Sequence, residues 1–232
     1  MALTIATWNI NSVRLRSGLV QKFLKEAKPD LLCLQETKCP DDQFPHADFR
    51  KIGYGHIAVS GQKGYHGVAV LSRLPFATQS VKQFAGKTDC RHISVELSDK
   101  AGNLGGLVVH NFYVPAGGDI PDPEANEKFA HKLAFLDEMK QWGKKDKPAA
   151  KKAVLVGDLN VAPLEHDVWS HKQMIDVVSH TPIECSKLNA AIKSGKWVDA
   201  VRTLKPEPEK LFTWWSYRAA DWQAVNKGRR LD

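Results

Sequence analysis

The sequence lacks any hydrophobic run long enough to cross a membrane. Among its 232 residues, no apolar stretch approaches the roughly 18 residues that a transmembrane helix needs. The first seven residues, Met1 to Thr7, place no basic side chain ahead of the apolar ones, which argues against a signal peptide. Low-complexity tracts, repeats and shifts in composition are absent as well. We therefore expect one globular domain, residues 1–232, in the cytoplasm.

Cysteine is scarce, and none of it is arranged for metal binding. The chain has four cysteines, and no two of them form a Cys-x-x-Cys pair. Four thiols in a chain of this length do not make the disulfide framework of a small secreted domain. We expect reduced, mostly structural cysteines and no zinc site.

Charge is not balanced. The chain carries 33 Lys and Arg against 26 Asp and Glu, a net charge of +7, and a basic protein favours polyanionic partners such as nucleic acid. Residues 140–152, however, carry six lysines and one aspartate, so much of the excess lies in one connector. We interpret this connector as a solvated loop after a helix, where lysines suit the helix dipole, rather than as a DNA contact.

Short apolar runs alternate with helical patterns, which is typical of an α/β fold. The helical spacing of apolar residues predicts helices within 19–27, 129–139 and 181–194. The strands are spaced too unevenly for a repeated βα unit, which favours a mixed or two-sheet core over an eight-fold barrel. Strands are predicted at 3–8, 31–34, 68–71, 93–97 (half buried, because its apolar residues alternate), 107–109, 153–156 and 212–215.

Polar side chains follow four of these strands. Asn9, Glu36, Tyr113 and Asp158 each stand at or just past the end of a strand. In open α/β sheets, ligand sites assemble at the carboxyl ends of the strands. The alternative is that Glu36 and Asp158 only cap the helices or turns that follow. This alternative is weaker for four strands together than for any one of them.

These residue types suit the hydrolysis of a phosphate ester with a hard metal ion. Glu36 and Asn9 offer oxygen ligands, and magnesium takes one or two carboxylates and keeps several waters. Asp158 could hold or deprotonate the attacking water. Asn160 could donate to a phosphate oxygen, and Tyr113 could donate a hydrogen bond or a proton to a developing oxyanion.

Five sequence blocks stand in order along the chain: Trp8-Asn9-Ile10-Asn11, Leu34-Gln35-Glu36-Thr37-Lys38, Asn111-Phe112-Tyr113-Val114-Pro115, Gly157-Asp158-Leu159-Asn160-Val161-Ala162-Pro163 and Gly228-Arg229-Arg230-Leu231-Asp232. This ordered set resembles the exonuclease III family of DNA-repair nucleases. The family includes the apurinic/apyrimidinic endonucleases and belongs to the endonuclease/exonuclease/phosphatase superfamily. The Gln-Glu-Thr-Lys block resembles the DNA-repair branch rather than the lipid phosphatases.

The resemblance implies a fold, a reaction and a substrate. The fold is an α/β four-layered sandwich, with two mixed β-sheets packed face to face and helices on the outer faces. The reaction is hydrolysis of DNA phosphodiester bonds with Mg²⁺ or Mn²⁺, at abasic sites and at 3′ ends, leaving a 3′-hydroxyl. The substrate is double-stranded DNA, and the enzyme is a monomer.

The resemblance also implies a role for each site residue. Glu36 is the principal metal ligand and Asn9 lies close to the metal. Tyr113 and Asn160 contact the scissile phosphate. Asp158 positions or activates the water, and Asp232 is the carboxylate that orients a catalytic histidine.

Two departures from the family pattern accompany the resemblance. The family has a Ser-Asp-His segment some way after the Arg-Leu-Asp block, whereas this sequence stops at Asp232. We expect the last strands of the domain and this histidine to lie beyond Asp232, the alternative being an impaired protein. The second departure is Ala116, which stands where many members have an asparagine, so one contact to the phosphate or the metal shell is expected to be absent.

Aromatic and basic residues interleave in the final segment. Three of the seven tryptophans fall among the last 19 residues. Aromatic rings beside cations suit a sugar-phosphate backbone with an exposed or missing base. We assign Trp214 and Trp222 to DNA binding and Trp215 to the core. Further candidate DNA-binding residues are Arg218, Arg229 and Arg91, with a salt bridge as the alternative for Arg91; Tyr217, Lys227 and Arg230 also stand in this pattern.

Three hypotheses follow. The first is a metal-dependent nuclease acting at abasic sites and 3′ ends. The second is a phosphatase of the same superfamily that acts on a small or lipid phosphate. The third is a DNA-binding homologue that has lost catalysis.

Overall fold

A computed structural model describes residues 2–148, 152–216, 218 and 220–232. The chain forms two compact units, one of residues 1–113 with 151–158 and one of residues 114–150 with 159–232. The four cysteines are free thiols, as the sequence predicts. No helix in the described ranges has the length and apolar character that a membrane span requires.

Two mixed four-stranded sheets form the first unit. One sheet has the order β1-β2-β4-β3, in which β1 and β2 run parallel and the other pairs antiparallel. The other has the order β5-β6-β7-β8, in which only the β7–β8 pair is parallel. The strands are β1 (Ile5–Asn9), β2 (Leu31–Gln35), β3 (His56–Ser60), β4 (Val68–Ser72), β5 (Phe76–Val81), β6 (His92–Leu97), β7 (Val108–Tyr113) and β8 (Ala153–Asp158).

The two sheets pack face to face because their strands are apolar on the sides that meet. Side chains alternate along a strand, so Leu31 and Cys33 face the second sheet, where they join a cluster with Val95 and Val109. The opposite face of the first sheet is covered by helices α1 (Val13–Ala27) and α2 (His46–Arg50). Strand β2 is buried on both faces, which explains its uninterrupted apolar sequence.

The α-helices described in the second unit are α3 (Glu127–Asp146), α4 (His171–Met174), α5 (Pro182–Gly195), α6 (Ala200–Leu204) and α7 (Trp222–Val225). Helices α3 and α5 approach so closely that a Cβ atom on Gly143 would lie 2.8 Å from the backbone nitrogen of Gly195. Asn126 caps the start of α3, and Thr181 with Glu184 forms a capping box at the start of α5.

The predicted α/β fold of two mixed sheets is confirmed, and two of the predicted strands need correction. Strand β6 is buried on both faces rather than half buried, because its second face, with His92, packs against Phe84 and Phe112. Residues 212–215 form only an isolated bridge between Trp214 and Arg229. In the lysine-rich connector, residues 149–151 lie outside the described residues.

Candidate active site

Four of the predicted site residues meet within the first unit. The Nδ2 atom of Asn9 donates to Glu36 Oε1 and to Asp158 Oδ2, each at 2.9 Å. The hydroxyl of Tyr113 donates to the same Glu36 Oε1 at 2.8 Å. Side chains from four strand ends, up to 149 positions apart in sequence, therefore form one hydrogen-bonded cluster.

Strand register places these residues together. Asn9 pairs with Gln35 at the ends of β1 and β2, and Tyr113 pairs with Asp158 at the ends of β7 and β8. Both pairs of strands are parallel, so their carboxyl ends coincide. Glu36 follows β2 directly, with a left-handed φ of 51°. Non-glycine residues adopt this conformation at some energetic cost, and such residues cluster at functional sites.

A buried amide fixes the two sheets to each other behind Glu36. Asn111 Oδ1 accepts a hydrogen bond of 2.7 Å from Gln35 Nε2. Its Nδ2 atom donates to the carbonyl oxygens of Leu34 and Ala69, both at 3.0 Å. Because Asn111 and Gln35 are fully buried, these bonds are shielded from water and hold the strand ends in register.

The environment of Glu36 keeps its carboxylate ionised. Burial acts to raise the pKa of Glu36, but hydrogen bonds from Asn9, Lys38 and Tyr113 outweigh it, and the net pKa is lowered. The Nζ atom of Lys38 lies 2.8 Å from Glu36 Oε2 and 2.6 Å from Asn11 Oδ1. Glu36 is thus a negative charge that already attracts a cation.

Tyr113 is held as a hydrogen-bond donor. Burial, together with the nearby charges of Glu36 and Asp158, raises the pKa of its hydroxyl well above the usual range. The guanidinium of Arg91 lies 4.8 Å from the Tyr113 ring centre, and its Nη1 donates to the Tyr113 carbonyl at 3.2 Å. Arg91 is buried and forms a 2.5 Å ion pair with Asp89. This ion pair is the alternative to a DNA contact that the sequence left open for Arg91.

The donor set suits a hard divalent cation. Two carboxylates, those of Glu36 and Asp158, lie together with the amide of Asn9, and all three offer oxygen atoms as ligands. No cluster of three or more His, Cys, Asp and Glu side chains arranged for metal binding occurs in the described part of the chain. A site with two carboxylates that keeps several waters is what magnesium uses.

Two further predicted catalytic residues belong to the second unit. Asn160 has a left-handed φ of 53°, and its Nδ2 donates to the Val114 carbonyl at 2.9 Å. Asp232 Oδ2 accepts a 2.7 Å hydrogen bond from the Thr213 hydroxyl. Burial raises the pKa of Asp232, and Thr213 and Arg230 offset this effect only in part.

The predicted DNA-binding residues of the second unit differ in exposure. Trp214 is half-buried against a cluster that includes Met174 and Leu231, and the guanidinium of Arg229 lies 5.3 Å from its ring centre. Trp222 is 45% exposed and begins α7. Its ring lies 5.3 Å from that of the half-buried Trp215. Arg218 is exposed, and Tyr217 lies outside the described residues.

Sequence reasoning assigned no role to Lys38 or Asn111, although both stand in the quoted blocks. The available signal was position, because Lys38 follows Glu36 by two residues and Asn111 precedes Tyr113 by two. The sequence does not reveal that Lys38 neutralises Glu36, since this depends on the turn that brings the two side chains together.

The chain matches a family of known proteins over almost its full length. Residues 6–232 match the Endonuclease/Exonuclease/phosphatase family. Exodeoxyribonuclease III of Haemophilus influenzae is 28% identical over 234 residues, which cover 97% of this chain and 84% of the relative.

Solved structures agree with this match. An AP endonuclease from Archaeoglobus fulgidus is 34% identical with a TM-score of 0.88, covering all of this chain and 85% of the neighbour. A Neisseria 3′ phosphatase, NExo, bound to a product DNA hairpin is 29% identical with a TM-score of 0.86 and the same coverage. The predicted resemblance to exonuclease III is confirmed, and the chain belongs to the Endonuclease/Exonuclease/phosphatase family.

Proposed function

We propose that this protein is a divalent-metal-dependent DNA-repair nuclease. It hydrolyses phosphodiester bonds of double-stranded DNA at abasic sites and at 3′ ends and leaves a 3′-hydroxyl. The observation that carries the proposal is the cluster of Asn9, Glu36, Tyr113 and Asp158, in which carboxylates and donors of the right types lie within hydrogen-bond distance. The relatives and neighbours that match the chain are named as enzymes of this kind.

Glu36, with Asn9 beside it, would hold Mg²⁺ or Mn²⁺. The bound metal would polarise the scissile phosphate and offset the charge that develops on it. The ionised state of Glu36 supports this assignment, because a metal ligand must be deprotonated. The all-oxygen donor set favours a hard cation over zinc.

The other residues of the cluster would act on the phosphate and on the water. Tyr113, protonated at neutral pH because its pKa is raised, would donate a hydrogen bond to a phosphate oxygen. Asp158 would orient the attacking water or accept its proton. Asn160 would donate from its side-chain amide to the same phosphate, and Asp232 would orient a histidine.

Residues of the second unit would bind the DNA. Arg229 beside Trp214 offers a cation and an aromatic face together, and Trp222 offers an exposed ring. The net charge of +7 favours a polyanion, and the Neisseria neighbour was solved with DNA bound. Arg218 is exposed and could contact the backbone, whereas Arg91 would act through Tyr113 rather than on DNA. The monomeric state and the cytoplasmic location remain predictions from the sequence.

Substitution of the proposed metal ligand tests this function. Glu36→Gln keeps the size of the side chain and removes its charge, and metal catalysis supplies several kcal/mol, so kcat on abasic duplex DNA should fall by about 100-fold or more. DNA binding should persist. Glu26→Gln is the matched control, because Glu26 lies in the same unit with its side chain 66% exposed. An unchanged cleavage rate in Glu36→Gln would refute the metal assignment.

A phosphatase acting on DNA 3′ ends is the second candidate. The observation that favours it is the Neisseria neighbour, which is named a 3′ phosphatase. Parallel assays of the wild-type protein on abasic duplex, on 3′-phosphorylated duplex and on an inositol phosphate separate the candidates. Cleavage of the abasic strand supports the nuclease. Phosphate release alone supports a phosphatase, and binding without either product supports a homologue that has lost catalysis.

A further inference from the structure

A charged pair lies completely buried inside the second unit. Lys132 on α3 and Glu184 on α5 form an ion pair, and the side chains of both are 0% exposed. A lysine is almost never fully buried unless it is paired, because removing its charge from water is costly. Lys132 lies on the same face of α3 as the buried Phe129, Phe135 and Leu136, so its place there calls for an explanation.

Glu184 is fixed by the backbone that surrounds it. Its Oε1 and Oε2 atoms each accept a 3.0 Å hydrogen bond from the Ser179 backbone nitrogen. Oε2 also accepts from the backbone nitrogen and the hydroxyl of Thr181, at 3.2 and 2.6 Å. The carboxylate is thus anchored by residues 179–181 and supplies the counter-charge that Lys132 requires.

The ammonium group of Lys132 donates hydrogen bonds to the backbone of two loops. Its Nζ atom donates to the backbone oxygen of Asn160 at 2.7 Å and to that of Ala116 at 3.2 Å. The side chain of Asn160 donates to the Val114 carbonyl, so residues 114–116 and Asn160 are joined at both the backbone and the side chain. Asn160 itself has a left-handed φ of 53°, which is costly for a residue other than glycine.

We infer that Lys132, with Glu184 as its counter-ion, is a positioning residue that fixes Asn160 for its contact with the scissile phosphate. The inference rests on the proposed function, in which the Asn160 amide donates to that phosphate. A displacement of 1 Å at a reacting group can cost about 100-fold in rate. A pair of apolar side chains would stabilise α3 against α5 at least as well as a buried ion pair, but it could not hold the Asn160 carbonyl.

Two variants separate positioning from stability. Glu184→Gln leaves Lys132 in place, and even a neutral lysine amine can still donate to both carbonyls. The double variant Lys132→Met with Glu184→Gln removes both charges and both donations. We expect Glu184→Gln to have a lower melting temperature than the double variant. We expect the double variant to have the lower kcat, reduced about 10- to 100-fold from wild type, with little change in Kd for uncleaved DNA. A purely structural pair would make kcat follow the melting temperature.

A double-mutant cycle with Asn160→Ala shows whether Lys132 acts through Asn160. If it does, the Lys132→Met/Glu184→Gln pair lowers kcat by less than twofold further once Asn160 is alanine, because coupled residues are not additive. The matched control is Lys187→Met, which removes another lysine–carboxylate pair between α3 and α5, with Asp137, and should leave kcat unchanged.

The possible failures are distinguishable. If Asn160→Ala loses kcat but the Lys132→Met/Glu184→Gln variant keeps it, or if their effects simply add, the positioning role is overturned and the proposed nuclease stands. If Asn160→Ala has wild-type kcat, the role of Asn160 and the inference built on it both fall. If the wild-type protein cleaves no DNA, the proposed function itself is wrong.

Discussion

Two groups of carboxylates, one in each unit, have different partners. At the candidate active site of the first unit, Glu36 and Asp158 both accept hydrogen bonds from one neutral nitrogen, Asn9 Nδ2, and Lys38 pairs with Glu36. In the second unit, Lys132 and Glu184 form a fully buried pair in which each charge is matched. Like charges held close together oppose folding, whereas a matched pair does not leave a charge uncompensated.

We interpret this difference as one between a catalytic site and a structural ion pair. Two carboxylates that meet at one donor can take up a cation and accept a proton, and holding such like charges close together costs the protein some stability. A matched and closed pair has no charge left for a ligand, and it serves to hold loops in place. Substitutions in the two groups should therefore have different effects on activity and on stability.

Removal of one site carboxylate should have the largest effect. Asp158→Asn preserves shape but cannot accept a proton from the attacking water, so kcat on abasic duplex should fall by about 10²- to 10⁴-fold. Because the substitution also relieves the crowding of like charges, the melting temperature should stay equal or rise. The melting temperature and kcat are measured on one preparation. A markedly lower melting temperature, or an unchanged kcat, would show that Asp158 is not a catalytic group kept at a cost in stability.

Breaking a matched ion pair in the second unit should instead lower the stability of the protein. Asp167 is fully buried, and its Oδ1 lies 2.6 Å from an Arg202 guanidinium nitrogen. Asp167→Ala leaves that guanidinium without its carboxylate and should lower the free energy of unfolding by about 3–5 kcal/mol. The control is Asp137→Ala, whose side chain is 53% exposed and should cost about 0–1 kcal/mol. Equal effects of the two variants in denaturant titrations would show that burial does not govern these pairs.

Loss of the exposed Trp222 ring on α7 should weaken DNA binding without lowering kcat. Stacking on a nucleic acid contributes about 1–3 kcal/mol, so Trp222→Ala should raise Kd for abasic duplex by roughly 5- to 150-fold. The value of kcat at saturating DNA should not change. Val225→Ala, at an exposed position of the same helix, is the control, and an unaltered Kd in Trp222→Ala would place α7 outside the DNA interface.

A paired carboxylate at the surface of the second unit should give the smallest effect, one that depends on pH. Burial acts to raise the pKa of Asp199, but hydrogen bonds from Arg230, at 2.7 and 2.8 Å, and from the Arg202 backbone lower it overall. A carboxyl with a lowered folded-state pKa stabilises the protein above its unfolded value of about 3.9. That contribution is lost as pH falls through the lower folded-state pKa.

Asp199→Asn isolates this effect, because asparagine still caps α6 well. The difference in unfolding free energy between wild type and variant should be present at pH 7 and should shrink as the pH falls below about 3.9, through the lowered folded-state pKa of Asp199. A difference that stays constant over this range would show that the Arg230 pairing contributes no pH-dependent stability.

The six strands that the sequence predicted correctly are buried or half-buried along their whole length, with no exposed residue. Strands β2 and β4 are apolar up to their last residue because both of their faces are covered. Strand β5 gave no signal, because it lies at the edge of its sheet and five of its six residues are exposed. Strand β3, at the edge of the other sheet, was missed as well.

The same reasoning explains what was found of the site. Asn9, Glu36, Tyr113 and Asp158 were predicted because polar residues at or just past the ends of apolar strands stand out from the pattern. Lys132 was not, because a lysine within a helix is usually solvated and its partner Glu184 lies 52 positions away. The choice of partners depends on tertiary packing, which periodicity in one chain does not encode.

The central claim is that the cluster around Glu36 is the metal-binding centre of a DNA nuclease. A crystal structure of the protein with Mg²⁺ tests it most directly. We predict an ion about 2.0–2.1 Å from a Glu36 carboxylate oxygen, with water molecules as most of its other ligands and Asp158 facing those waters. An ion bound elsewhere in the protein, with Glu36 still paired only to Lys38, would contradict it.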